Sequence, residues 1–177
     1  GVDGLPLDFG YVRDDTGDNI STKNLNFGTQ TGLYWAWKNL DSDYKGLVHY
    51  RRYFVGKNYK KGDMIGSVIT ENEIEPMLEK YKVFVPKKRK YYIETLYSHY
   101  AHTHDESHLK IVEGIIKTDC PEYLNAFNKV MNRKWGYMFN MMILEKMLMD
   151  DYCTWLFNIL FQAVDRIDKS NLSAFDS

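Results

Sequence analysis

The arrangement that most constrains this chain lies between Lys45 and Pro86, where two short apolar stretches flank a helix-forming one. "KGLVHYRRYF" reads as a strand of about five or six residues. A polar, glycine-bearing loop, "VGKNYKKGDMIGS", follows it. "TENE" then opens a helix at Thr70, with Glu73 three residues on as in a capping box. That helix runs to about Tyr81 and leads directly into "KVFVPKK", a short buried strand ended by Pro86. Strand, helix and strand in this order favour parallel strands joined by a crossover. The expected class is α/β, a mostly parallel sheet flanked by helices.

The remaining segments fit one domain over residues 1–177, whose 44% apolar content suffices for a core. Residues 1–30 are rich in Gly, Asp, Asn and Thr without sustained period, and read as a long loop able to cover a ligand. "TGLYWAWKNL" predicts a buried helix from Thr31 to Leu40. Further helices are predicted over Tyr91–His102, Ser107–Thr118 and Pro121–Arg133, with "GYMFNMMIL" a buried strand after them. In the last helix Leu148, Tyr152, Trp155, Ile159 and Ala163 recur at three and four residues, forming one apolar stripe. Gly1 stands where an initiator Met would, and the opening reads as loop, so a fragment truncated at both termini is expected.

Bulk charge narrows the function classes. A net charge of -1 and a pI near 6.6 argue against a protein that neutralises nucleic-acid phosphates broadly, so anion recognition must be local. No apolar run approaches a membrane-spanning helix, and no charged-then-apolar leader is present. Cys120 and Cys153 lack CxxC spacing, which suggests reduced thiols and a cytoplasmic protein.

Local charge is concentrated in "GLVHYRRYF". If the stretch is a strand throughout, Leu47, His49 and Arg51 share one face, and Val48, Tyr50 and Arg52 the other. Both arginines then stand at the strand's C-terminal end, the edge where open α/β sheets bind ligands. Guanidinium forks there suit a nucleotide diphosphate, through paired charge-assisted hydrogen bonds. The plain alternative is that each arginine pairs with a carboxylate. Both can face one ligand only if the strand ends between them, and that ending is the expectation.

Other candidates are weaker. "DSD", Asp41 to Asp43, has the Asp-x-Asp form by which many sugar-nucleotide transferases hold Mn²⁺ or Mg²⁺, but it precedes the strand and suits a solvated turn. "DDTGDN", Asp14 to Asn19, lies in the long loop, where Asp18 and Asn19 suit a ribose or sugar hydroxyl; a capped turn is the equal alternative. His99, His102, His104 and His108 lack the cysteines or HExxH pattern of a zinc site. His104 or Asp105 suits a base facing an acceptor hydroxyl. The basic run "PKKRKYY" suits a phosphate or an anionic lipid-linked acceptor, with a solvated loop as the default.

Taken together, "TGDNISTKN", "LYWAWKN", "GLVHYRRYF", "VPKKRKYYIETLYSHYAHTH" and "MNRKWGYMFNMMILEKMLMDDYCTWLFNIL" closely resemble a family of bacterial glycosyltransferase-like domains of capsule, exopolysaccharide and O-antigen biosynthesis. That family was long known only as a domain of unknown function, and some relatives are considered galactofuranosyltransferases. The resemblance implies a GT-A-like, Rossmann-type fold that binds a nucleotide sugar. It implies that Asp18, Asn19, Ser21, Lys23 and Asn24 line the donor side, and that Asn140 lies near the sugar or acceptor. Where a GT-A strand carries Asp-x-Asp, this chain has His49-Tyr50-Arg51-Arg52. The implied site is metal-independent, with Arg51 or Arg52 stabilising the diphosphate leaving group. Relatives often read "ELTaLYW" where Thr29-Gln30-Thr31-Gly32 precede "LYW" here, which leaves the catalytic base unassigned.

The expected function is transfer of a hexosyl unit from a nucleotide diphosphate sugar, UDP-linked by preference, to a lipid-linked or oligosaccharide acceptor. A non-catalytic carbohydrate- or nucleotide-binding module of an assembly protein is the competing class. No cofactor is expected, Mn²⁺ or Mg²⁺ being the disfavoured alternative. The expected location is the cytoplasm, with peripheral association at the inner face of the membrane.

Overall fold

The computed structural model describes residues 10–49 and 51–175, with side chains through Ile167. The part of the expected N-terminal loop before Gly10, and Tyr50 with its assigned face, lie outside the described residues. The chain divides into two compact units. One combines the chain up to Pro86 with Met138–Cys153; the other combines Lys87–Tyr137 with the chain from Thr154.

In the first unit a 3-10 turn, Ser21–Lys23, leads into the short helix α1 (Asn24–Phe27) and then α2 (Gln30–Asn39). The expected loop is thus helical from Ser21, because Ile20, Ser21 and Phe27 are buried and hold the segment in place. Leu33 and Thr31 anchor α2 with almost no exposed surface. Burying a leucine fully contributes roughly 1.5–3 kcal/mol. Strand β1 (Tyr44–Leu47) follows, then α3 (Glu71–Leu78) and β2 (Val83–Phe84). The capping box at Thr70 and Glu73 is present and sets the start of α3.

The sheet corrects the expected parallel order. Strand β5 (Met142–Glu145) inserts between β1 and β2, giving the order β1-β5-β2, with both pairings antiparallel. The crossover through α3 does leave β1 and β2 running the same way, since each opposes β5. They are not neighbours, so among the described residues no parallel ladder forms. A two-residue ladder in the second unit, β3 (Arg89–Lys90) with β4 (Trp135–Gly136), is antiparallel too. Gly46 allows β1 to approach β5 closely: a Cβ there would lie 2.9 Å from Ile143 Cγ1 and 3.0 Å from the Met142 carbonyl.

The second unit is mainly helical: α4 (Leu96–Thr103), α5 (Glu106–Asp119), a 3-10 turn at Pro121–Tyr123, and α6 (Leu124–Met131). Its core joins Ile115, Ile116 and Cys120 to Ile159 and Ala163 of α7 (Lys146–Phe175), with Phe127 and Trp155 against them. The predicted stripe on α7 is present, but Met149, Cys153 and Phe157, off that stripe, are the more deeply buried residues. Helix α4 starts five residues later than predicted. Tyr91 and Leu96 instead donate backbone hydrogen bonds to the Lys134 and Arg133 carbonyls, at 2.8 Å each. Both cysteines are free and buried. Among the described residues, no helix is long and apolar enough to cross a membrane.

Candidate functional site

Pairing registers fix which loops meet. Leu47 at the end of β1 faces Met142 at the start of β5, and Phe84 at the end of β2 faces Ile143. The C-terminal ends of β1 and β2 therefore share one sheet edge with the N-terminal end of β5. The strand, expected to end between Arg51 and Arg52, stops at Leu47, ahead of both. The chain then reverses in a tight turn, in which the Arg52 N–H donates to the His49 carbonyl at 2.9 Å. Strand alternation therefore does not govern where Arg51 and Arg52 point.

Opposite this turn, Phe139 and Asn140 both adopt left-handed backbone, with φ of 73° and 54°. Asparagine tolerates this region; for phenylalanine it is a strained choice that surrounding structure must enforce. The strain puts the Phe139 ring beneath a cation: the Arg52 guanidinium carbon lies 3.8 Å from the ring centroid. The His49 ring stands 6.3 Å from the same ring. His49 Nδ1 faces two donors, the Arg51 backbone N–H at 3.3 Å and the Arg52 guanidinium at 3.4 Å. Neither partner can accept, so Nδ1 takes the acceptor role in both contacts. Arg52 is exposed and rests on a ring and an imidazole, and among the described residues no carboxylate takes the pairing weighed as its plain role. Phe139 carried no sequence signal for this part, because "GYMFNMMIL" reads as one unbroken strand.

The second group of expected residues occupies a different loop of the same unit. Asn39 clamps that loop from α2, its Oδ1 accepting from the Asp18 N–H at 3.1 Å and its Nδ2 donating to the Asp18 carbonyl at 2.8 Å. Tyr34 donates its hydroxyl to the Asp18 carboxylate at 3.2 Å. Asn19 Oδ1 accepts from the Ser21 hydroxyl at 2.9 Å and from its N–H at 3.2 Å. Gly17 is required here, because its φ is 57° and a Cβ would fall 2.1 Å from Asn39 Oδ1. Asp18, Asn19 and Ser21 thus build a fixed capped turn, with Lys23 exposed beside it and Asn24 half-buried at the start of α1.

His104 and Asp105 belong to the second unit. His104 ends α4, stacked on Tyr100 with centroids 4.7 Å apart, its Nδ1 2.8 Å from the Thr103 hydroxyl. Asp105 is the N-cap of α5 and accepts from the Ser107 N–H at 2.8 Å. That backbone hydrogen bond holds its carboxyl below the usual carboxylate range. Glu94 joins His102 and His99, at 2.6 and 2.8 Å, and these bonds lower its own pKa in the same way. Asp41 meets Lys146 Nζ at 2.6 Å, beyond the N-terminal end of β1 and away from the arginine edge. Among the described residues, no group of three His, Cys, Asp or Glu side chains is placed to hold a metal ion.

Comparison with known proteins adds the family. No curated protein is significantly similar to the chain. Among solved structures, one titled as the apo structure of the bifunctional glycosyltransferase WbbM matches with a TM-score of 0.74 at 31% identity, over 86% of this chain. The chain spans 30% of the length of that protein. The family described as Domain of unknown function (DUF4422) matches residues 3–177. With nearly its whole length matched, and with a glycosyltransferase as structural neighbour, the chain belongs to this glycosyltransferase-like DUF4422 family.

Proposed function

We propose that the chain is a GT-A-like glycosyltransferase domain that moves a hexosyl unit from a nucleotide diphosphate sugar to a glycan acceptor of surface polysaccharide synthesis. The observation that carries this reading is the 31% identical likeness to a bifunctional glycosyltransferase. The arginine edge gives it a chemistry. In transfer, an acceptor hydroxyl oxygen bonds to the anomeric carbon, the bond from that carbon to the diphosphate oxygen breaks, and the electron pair leaves on the phosphate. Charge therefore develops on the diphosphate, which Arg51 and Arg52 are suited to stabilise by forked, charge-assisted hydrogen bonds. His49 stands beside them, and Asn140 offers an amide for a sugar hydroxyl.

The donor is UDP-linked in this reading, a galactofuranosyl unit being one candidate. The segment Asp18 to Asn24 lines the nucleotide side, its rigid turn presenting Lys23. The metal-independence of the site rests on cations standing where an acidic pair would otherwise bridge metal and diphosphate. Of the two expected bases, His104 and Asp105, both in the second unit, Asp105 is a carboxylate whose basicity its cap hydrogen bond has lowered.

Thermal-shift titration of the chain with UDP and UDP-hexoses, with and without Mn²⁺, tests the reading. Stabilisation by nucleotide without a metal requirement is expected. Absence of any stabilisation refutes it, and binding without transfer to any glycan acceptor identifies the non-catalytic module instead.

A further inference from the structure

A second cationic surface lies in the other unit, and the proposed transfer reaction does not use it. Strands β3 and β4 with their flanks gather Lys87, Lys88, Arg89, Lys90, Arg133 and Lys134, all exposed. The chain as a whole carries a net charge of -1, so this local excess is compensated elsewhere on its surface. Within the patch, aromatic rings support the cations. Lys88 Nζ lies 4.1 Å and the Arg133 guanidinium 4.6 Å from the centroid of the Trp135 ring, and Arg89 lies 5.3 Å from that of Tyr91. Rings hold cations in place without neutralising them. Glu94, close by in sequence, is bound to His99 and His102.

The loop after β3 adds an apolar element. Tyr92 and Ile93 are 80% and 85% exposed, and Tyr137, next to β4, is 50% exposed. Tyr92 has a φ of 61°, a backbone state costly for an aromatic residue. Hydrogen bonds from the Tyr91 and Leu96 N–H groups to residues 134 and 133 hold the loop in that state. The backbone is thus constrained at a point where a tyrosine and an isoleucine stand in water beside a cluster of cations.

We propose that this surface docks the protein onto an anionic phospholipid bilayer. Cations attract the headgroup phosphates, tyrosines sit at the headgroup level, and Ile93 enters the acyl boundary. The exposed isoleucine favours a bilayer over nucleic acid, whose phosphates and base faces offer it no apolar layer. The rigid ribbon presents its charges together, so ordering a flexible tail is not required. This docking is independent of the transfer reading.

Co-sedimentation of the 177-residue protein with vesicles of known composition tests it. Binding is expected to phosphatidylcholine vesicles containing about one third phosphatidylglycerol, but not to pure phosphatidylcholine, and to weaken strongly between about 0.1 and about 0.5 M salt. Each cation removed is expected to weaken binding about fivefold, so Lys87→Gln with Lys90→Gln loses about 25-fold. Ile93→Ser is expected to weaken binding several-fold with an unchanged thermal midpoint, which separates docking from folding. Equal binding to neutral vesicles overturns the proposal, as does retention of binding by both the double lysine variant and Ile93→Ser. Failure to bind anionic vesicles at low salt also overturns it, and tighter binding to a DNA duplex than to these vesicles assigns the patch to nucleic acid.

Discussion

The contact between Arg52 and Phe139 makes a quantitative prediction about nucleotide binding. If Arg52 holds the diphosphate, Arg52→Ala removes charge-assisted hydrogen bonds worth roughly 1.5–3 kcal/mol, a loss of about 10- to 150-fold in affinity. Phe139 contributes indirectly. With the guanidinium carbon 3.8 Å from the ring centroid at an exposed site, the cation–π contact is worth about 0.5–1 kcal/mol. Phe139→Leu keeps an apolar side chain and the same left-handed backbone penalty, so it removes the ring's quadrupole with little other change. It is expected to weaken nucleotide binding about two- to fivefold, because the guanidinium must then be ordered when the ligand binds.

The two effects should not add. In an Arg52→Ala background there is no guanidinium for the ring to hold, so Phe139→Leu should have almost no further effect. A double-mutant cycle read by isothermal titration of UDP should therefore give a coupling of about 0.5–1 kcal/mol. Arg52→Lys is expected to recover only part of the loss, since an ammonium lacks the planar fork. If Arg52→Ala binds UDP as the parent does, or if Phe139→Leu costs the same in both backgrounds, the reasoning from this contact fails.

Other features make separate predictions. Gly46→Ala places a Cβ within 3.0 Å of both Ile143 Cγ1 and the Met142 carbonyl, and should destabilise the protein by about 1–3 kcal/mol in urea unfolding. Burial pushes the Cys153 thiol up to about 12, so labelling at about pH 8 should be slower by about three orders of magnitude in the folded than the unfolded protein, read by peptide mass mapping. Asp105 has a folded pKa below its ordinary 3.8, so its cap contribution is complete above that value and is lost as pH falls through the lower folded one. Amide protection at the start of α5 should therefore decline below about pH 4, should survive Asp105→Asn, and should drop in Asp105→Ala at neutral pH.

The parts of the structure legible in the sequence are those governed by contacts close along the chain. The capping box at Thr70 and Glu73 starts α3 because both partners lie within one helical turn. Helices α2 and α5 begin and end within a residue of expectation for the same reason. Non-local choices were not legible. "KGLVHYRRYF" has β-forming residues throughout, yet among its described residues only Lys45–Leu47 pair with β5, which itself starts at Met142. The direction of the crossover from β1 to β2 was readable, but a strand arriving from about sixty residues later between them was not.

The site follows the same division. That Arg51 and Arg52 cluster at a sheet edge is a property of one segment and can be read from it. What supports Arg52 is a phenylalanine from another segment, held in a conformation that phenylalanine disfavours. Propensity and alternation both argue against a reversal at Phe139, so local rules fail there in the direction expected of a functional position. The charge assignment accordingly changes. An arginine neutralised by a carboxylate would have little left for a ligand, whereas one resting on an aromatic face keeps its positive charge and its N–H donors in the ring plane of the guanidinium. The strained turn before β5 thus positions a cation without cancelling it, which is what a diphosphate-binding edge without a metal would require.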